Sequence, residues 1–508
     1  MKENSVFVRA LLWAYAVFSE SLAARFLYGV IRAVGIACAE SVPGRFLRRE
    51  TGIEVYASSS VFYRVLSAII NGVLRFFGKI YAFFARVNSE SINRRFFDSV
   101  LQNSYVLHLE TLLCLSVFII FIVPHALWNN LYATLLTAGL CGMYFLCLLG
   151  GKLPLGKNAA GLWFPFLLLV FSTFQSVIGS PAMGDSIRTL AFFVTAFLMC
   201  LLIYGTLSTY EKTEHLLKYI VLMVALTAVY AVVQRIMGVE ADASLTDLSL
   251  NKGMPGRVFS TLGNPNNYAE FLMLMIPFAF AFFLSREEGG WKTVSLAAVL
   301  LGIVALLLTY SRSGWLAFAV AAIVFTALYN PRVLPVIFIL GILCIPLLPE
   351  SILNRILTIG NLSDSSSSYR IDIWTGSLRM LRDGYWLGGT GLGAEAFTSV
   401  YPAFGVGASK IAPHTHMQFM EILAEMGVVG LISILWFSVS LVRRTAVAAR
   451  KADRRLRAVL CAASSAMAGI SAIGFAEYTW FYPRVMLAFF VAAGIGMACV
   501  RLAGRENQ

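Results

Sequence analysis

The chain has 508 residues, of which 58% are hydrophobic and only 13% charged, and its mean hydropathy is +0.76. Soluble domains carry about a quarter of their residues as charges, so this composition excludes an ordinary soluble protein and points to an integral membrane protein. The net charge of +13 is dispersed among apolar runs instead of forming one solvated basic face, which argues against nucleic acid as a partner.

Residues 1–104 read as a basic, amphipathic N-terminal region, interfacial or cytoplasmic, broken by charge too often to span a membrane. Between Val61 and Phe84, Phe62, Val65, Leu66, Ile69, Ile70, Val73, Leu74 and Phe77 recur at helical spacing. At about 100° per residue, Arg64, Arg75, Lys79 and Arg86 fall within about 60° of one another on the opposite face. A helix of this kind lies in a membrane interface with its basic residues toward lipid headgroups, or else docks on the other spans. No short apolar core followed by a small-residue cleavage site is found near the start, so no cleaved signal peptide is expected.

Residues 105–508 are expected to form an all-α, polytopic membrane domain with about twelve spans of about 20 residues each. They are placed near 107–125, 131–150, 159–179, 187–206, 215–236, 264–284, 293–311, 313–330, 333–349, 416–442, 457–477 and 483–502. All eight cysteines are read as small core hydrophobes, since none forms a Cys-x-x-Cys pair. With both termini in the cytoplasm, most of the 40 Lys and Arg fall inside, among them Lys152, Lys157, Lys212, Lys292, Arg332 and the dense loop Arg443–Arg457. The extracytoplasmic side of the cell membrane then holds Gly238–Leu262, the Tyr310–Gly314 turn and a large polar loop, 350–413. Arg257, Arg312, Arg370, Arg379 and Arg382 remain on that side against the charge rule, which marks them as candidates for function.

Four stretches on that side carry chemistry. In Arg257–Glu270, Gly263, Asn264, Pro265 and Asn266 form a turn, and Asn266 or Asn267 is expected to cap the next helix. In Thr309–Trp315, Arg312 at the tip of a tight hairpin can present its planar fork to a phosphate. The glycine-rich Gly388–Gly393 lacks a strand–turn–helix setting and is read as a close-packed turn, not a nucleotide site. His414 and His416 precede an apolar helix. A metal is not expected, because no third ligand stands nearby, whereas a histidine beside arginines suits a general base. Glu421 and Glu425 share a helix face, and an arginine of the same site is their expected partner.

The strings RVFSTLGNPN (Arg257–Asn266), TYSRSGW (Thr309–Trp315), Tyr369–Trp374 with GLGAEAF (Gly391–Phe397), and PHTHMQFMEILAEMG (Pro413–Gly427) resemble the O-antigen ligase and O-antigen polymerase superfamily. The resemblance covers roughly residues 105–500. It implies a bacterial multi-pass glycosyltransferase, inverting and independent of metal or other cofactor. Such an enzyme moves a glycan from an undecaprenyl-pyrophosphate carrier to a glycan or lipid-glycan acceptor within a lipid membrane. It further implies that Arg257 and Arg312 hold the lipid pyrophosphate and that His416 activates the acceptor hydroxyl. His414, Arg370, Asn264, Asn266 and Glu421 are the expected substrate-binding residues. Met417 stands where the family usually has asparagine. A transporter of a lipid-linked glycan is the alternative reading, although no internal repeat is evident.

Overall fold

The computed structural model describes residues 108–149, 160–239, 256–286, 288–357 and 365–506, with isolated positions between 21 and 83. The amphipathic helix expected over 61–84 and most of the N-terminal region lie outside these residues.

The described chain is helical, with no strand among its elements. In order, the helices are α1 (Leu109–Ile122), α2 (Asn130–Leu149), α3 (Ala160–Gln175), α4 (Met183–Thr206) and α5 (Tyr210–Ile236). Next among the described residues come α6 (Pro265–Ser285), α7 (Gly290–Leu308), α8 (Arg312–Tyr329) and the shorter α9 (Leu334–Cys344) and α10 (Glu350–Leu357). Then follow α11 (Ser365–Met380), α12 (Ala394–Val400), α13 (Gln418–Ala449), α14 (Arg454–Ile473) and α15 (Pro483–Glu506). Eight of these (α4 to α8 and α13 to α15) are long and apolar enough to cross a membrane, against about twelve expected spans. Leu109–Ile122, Phe164–Gln175 and Pro331–Leu343 are apolar but shorter. The tight division between α7 and α8 is present, with only Thr309–Ser311 between them.

Burial identifies the centre of the bundle. The apolar windows of α6, α14 and α15 are 83, 78 and 89% buried, whereas those of α7 and α8 are 33 and 28% buried. Lipid tails are as apolar as leucine, so association of such helices rests on close packing, which small residues permit. The α14 run Cys461-Ala462-Ala463-Ser464-Ser465-Ala466 is buried throughout, and Gly469 sits against Met273 of α6 and Ala317 of α8. Aromatic rings fill the wider gaps: Phe166, Phe197, Phe437 and Phe490 interlock between α3, α4, α13 and α15.

Helix α13 is broken near its start. Gly427 takes φ 69° and ψ −171°, which interrupts the hydrogen-bond ladder and frees carbonyls inside the bundle. The glycine-rich stretch answers this break: Thr390 N donates to Ala424 O at 2.7 Å and Gly391 N to Glu425 O at 3.2 Å. A Cβ on Gly389 would run into the Glu425 carbonyl, and one on Gly427 into the Leu387 carbonyl. Glycine is therefore required here for close approach of two backbones, not for cradling a phosphate.

Candidate active site

The connections at one end of the bundle are tied to one another. Arg484, in the first turn of α15, donates to Val123 O (2.9 Å) after α1 and to Thr261 O (2.8 Å) before α6. Ser186 of α4 donates to Leu392 O at 2.6 Å, and Gln418 N at the start of α13 donates to Gly474 O at 2.8 Å beyond α14. The sequence-predicted site residues all lie among these connections.

Arg257 is 5% exposed. Its Nε donates to Thr309 O at 2.8 Å and its Nη2 to Asn266 Oδ1 at 2.6 Å. It therefore joins its own segment to the α7–α8 turn. Burial, then the nearby Arg355, and to a lesser degree Arg312, pull its guanidinium down to about 10 against the opposing pull of Glu477, and it stays charged at neutral pH. Asn264 is the N-cap of α6: its side chain accepts from Asn266 N at 2.8 Å, and Pro265 follows at the first helical position. The cap expected from Asn266 or Asn267 thus belongs to Asn264, because proline at the first helical position suits the residue before it to the capping role. Asn266 is left to bridge Arg257 and, through Nδ2 at 3.4 Å, Glu477 Oε1.

Arg312 opens α8, with Ser311 as N-cap accepting from Gly314 N. Ser313 Oγ donates to Glu477 Oε1 at 3.4 Å. From the polar loop, Arg370 of α11 donates through Nη2 to the same oxygen at 2.8 Å. Glu477 is therefore the hub on which Arg370, Asn266 and Ser313 meet, with Arg257 and His416 within its electrostatic reach.

The histidine segment is held from beneath. Thr415 is fully buried; its N donates to Glu421 Oε2, its Oγ1 to Met417 O at 3.0 Å, and its carbonyl accepts from Trp374 Nε1 at 3.0 Å. The rings of His414 and His416 pack against each other, their centroids 4.1 Å apart, and His414 Nδ1 accepts from His416 N at 3.1 Å. His416 Nδ1 is buried without a hydrogen-bond partner among the described residues. Burial depresses the pKa of both histidines. For His416, Glu477 opposes that effect and Arg370 adds to it; for His414, the neighbouring His416 and Arg370 both add. A neutral imidazole at neutral pH is the form a general base needs.

Glu421 and Glu425 lie below this surface, 0 and 1% exposed. Their partners are not arginines. Glu421 accepts from Thr415 N, while Glu425 accepts from Gly393 N and from the Tyr478 hydroxyl, each at 3.1 Å. The physical reason is the turn at Thr415, which aims a backbone N–H down at α13 before any guanidinium can reach it. Gln418, next to Met417, accepts from Thr479 N, Thr479 Oγ1 and Trp480 N and so fastens the start of α13 to the segment that carries Glu477.

Two participants escape a reading of the sequence. Glu477 sits at the expected edge of a span, where a lone carboxylate beside tyrosines gives little signal. Arg355 is buried within the polar loop on α10, in the amphipathic run Ile352-Leu353-Asn354-Arg355-Ile356-Leu357.

Residues 296–435 match the family model described as O-antigen ligase, and no curated protein matches the chain. The match runs from α7 into α13 and so contains Arg312, Arg355, Arg370, His414, His416 and Glu421. Arg257, Asn266 and Glu477 lie beyond it in sequence yet meet these residues in space. This is a multi-pass membrane protein in which residues 296–435 are similar to the O-antigen ligase family, a family of surface polysaccharide biosynthesis.

Proposed function

We propose that the protein transfers or polymerises a glycan from an undecaprenyl-pyrophosphate carrier onto an acceptor hydroxyl at the outer face of the cytoplasmic membrane. The observation that carries this reading is that Arg370, Asn266 (the partner of Arg257) and Ser313 (next to Arg312) meet on Glu477, with His416 within its electrostatic reach, at one end of a helical membrane bundle. No nucleotide sugar is available outside the membrane, so the activated sugar arrives on the lipid.

His416 takes the proton of the acceptor hydroxyl as that oxygen attacks the anomeric carbon. The carbon–oxygen bond to the carrier breaks with inversion, and the electron pair leaves with the lipid pyrophosphate. Arg257 and Arg312 stabilise the charge that develops there, in a site where burial strengthens electrostatics. No metal is required for these steps. Asn266 orients Arg257, and Arg370 borders the acceptor side. Glu421, placed beneath Thr415, acts as a positioning residue for His416. Grooves between spans accept the polyprenyl tail.

His416→Ala and Arg312→Ala are expected to abolish glycan transfer in reconstituted proteoliposomes while leaving expression and membrane insertion intact. Near-normal transfer by both variants would sink the proposal. Translocation of the lipid-linked glycan without covalent transfer would favour a transporter instead.

A further inference from the structure

Arg379 and Arg382, which stand with Arg370 in the polar loop, have no part in the site described above. They lie at the end of α11 and in the wide helical turn Leu381–Tyr385 that follows it. Both are exposed, and among the described residues neither makes a hydrogen bond or an ion pair, not even with Asp383, four residues after Arg379. Around them Leu378, Trp386 and Leu387 are 58, 49 and 61% exposed. The other side of α11 is satisfied: Ile373 and Met380 pack with Phe397 and Tyr401 in the core of the loop itself. Two cations and three large apolar side chains are therefore turned away from the protein over one stretch of ten residues, 378–387.

The depth of this stretch follows from its contact with α13. That helix carries Arg443 and Arg444 toward its far end, and a hydrocarbon layer of about 30 Å takes about 20 helical residues. Counted back from Arg443, the layer ends near Leu423, so Ala424 to Gly427 lie at its boundary on the side of the site. Residues 387–391 run against that boundary: Thr390 N donates to Ala424 O, Gly391 N donates to Glu425 O, and a Cβ on Gly427 would strike the Leu387 carbonyl. Gly384, with φ 112°, makes the reversal that brings the chain from α11 onto α13. Trp386 and Leu387 thus emerge at the level of lipid headgroups and not in bulk water. Tryptophan is favoured at that level, and arginines beside an apolar edge suit a surface with phosphate above and acyl chains below. A phosphorylated glycan in solution would leave the apolar side chains unexplained.

We propose that Leu378–Leu387 is an interfacial anchor in which Arg379 and Arg382 hold the phosphates of anionic membrane lipids while Trp386 and Leu387 enter the boundary between headgroups and acyl chains. The anchor bears on the site through α11. The same helix presents Arg370 to Glu477 and Trp374 Nε1 to Thr415 O, and Arg379 lies about 14 Å along it from Arg370. The inference needs only that the bundle spans a membrane, and it stands apart from the glycan-transfer reading. Full-length protein is placed in nanodiscs of phosphatidylcholine and phosphatidylglycerol, with bromine on the acyl chains of one lipid or the other, close to the headgroup. The emission of Trp386 is the difference between wild type and Trp386→Phe. It is expected to be quenched by the brominated chains; emission that stays unquenched places Trp386 in water and overturns the anchor. At equal mole fraction, brominated phosphatidylglycerol should quench it several-fold more than brominated phosphatidylcholine, with roughly a fivefold preference from each arginine. Arg379→Gln with Arg382→Gln should abolish that preference, whereas lysine at both positions should keep most of it. Equal quenching by the two lipids in the wild type, or an unchanged preference in the glutamine variant, overturns the headgroup site. Should the double variant not fold, the two single variants decide, each expected to lose roughly fivefold.

Discussion

Glu477→Gln separates the charge of the hub from its shape. Glu477 Oε1 accepts from Arg370 at 2.8 Å and from Asn266 and Ser313 at 3.4 Å, and glutamine keeps an oxygen in that place. A hydrogen bond to a charged group contributes about 1.5–3 kcal/mol, and a neutral one about 0.5–1.5 kcal/mol. The loss is therefore about 1–2 kcal/mol. It falls short of the about 3–5 kcal/mol for emptying a buried pair because the Arg370 side chain is 22% exposed and water screens it. The sharper readout is pH. Glu477 favours the protonated form of His416, while burial and Arg370 disfavour it. Removing the carboxylate lowers the His416 pKa further, so the base stays neutral in more acid solution. The acid limb of kcat/KM for glycan transfer, followed in proteoliposomes from about pH 5 to pH 8, is expected to move to lower pH. The donor KM should fall as well, since one negative charge has left the arginine cluster. A folded variant whose acid limb stays in place or moves to higher pH refutes the electrostatic link between Glu477 and His416.

Three further outcomes follow from the supporting structure. Gly427→Ala places a Cβ against the Leu387 carbonyl at a residue with φ 69°; the strain of about 1–3 kcal/mol plus the clash should sharply reduce folded protein on size-exclusion chromatography, and normal yield would contradict the close approach. Tyr478→Phe removes the 3.1 Å bond to Glu425 within a buried pair, so the melting temperature should drop by the equivalent of about 1–3 kcal/mol, while an unchanged melt would show that the bond contributes nothing. Because folding depresses the pKa values of His414 and His416, the unfolded chain binds more protons between the folded values and about 6.5. Thermal stability is therefore full above about pH 6.5 and declines as pH falls through the folded values; in His414→Phe that decline should be shallower, and an identical profile would exclude His414 as a source.

How much of this was legible in the sequence depends on how each residue is held. Arg257, Arg312, Arg370 and His416 stand in polar interruptions of an apolar chain, where charge is conspicuous, and the side of the membrane expected for them rests on the placing of basic residues. The roles proposed for them rest on resemblance, and the geometry adds which of them meet. Glu477 was hidden because its importance is entirely tertiary: nothing in Phe475-Ala476-Glu477-Tyr478 states that Arg370, more than a hundred positions earlier, will reach it. Glu421 shows a different limit. Its position near the histidines suggested a place in the substrate site, but a helix face four residues apart cannot say whether it points at the pocket or beneath it. The turn at Thr415 decides that, and turn geometry of this kind is set by contacts from α11 and α14 that periodicity does not encode.

Backbone strain supplies an independent line to the same place. Among the described residues, only Ser260, Tyr310 and His416 are non-glycine residues with left-handed φ, at 50°, 52° and 53°. Each lies on a different connection, and each is His416 itself or stands within three residues of Arg257 or Arg312. A non-glycine residue in this region costs about 1–3 kcal/mol and persists only where its surroundings over-determine it. That support is present at all three. Ser260 donates through N to Gln234 Oε1 and through Oγ to Thr227 O, both at 2.7 Å. Tyr310 is held by Ser351 and Arg355, and His416 by His414 and the bonds around Thr415. On the proposed reading, these conformations hold Arg257, the turn that precedes Arg312, and His416 in place before substrate arrives. Relieving one of them, as in Tyr310→Gly, should therefore leave the fold as stable or nearly so while lowering kcat; a glycine variant with undiminished turnover would show that the strain does not serve the site.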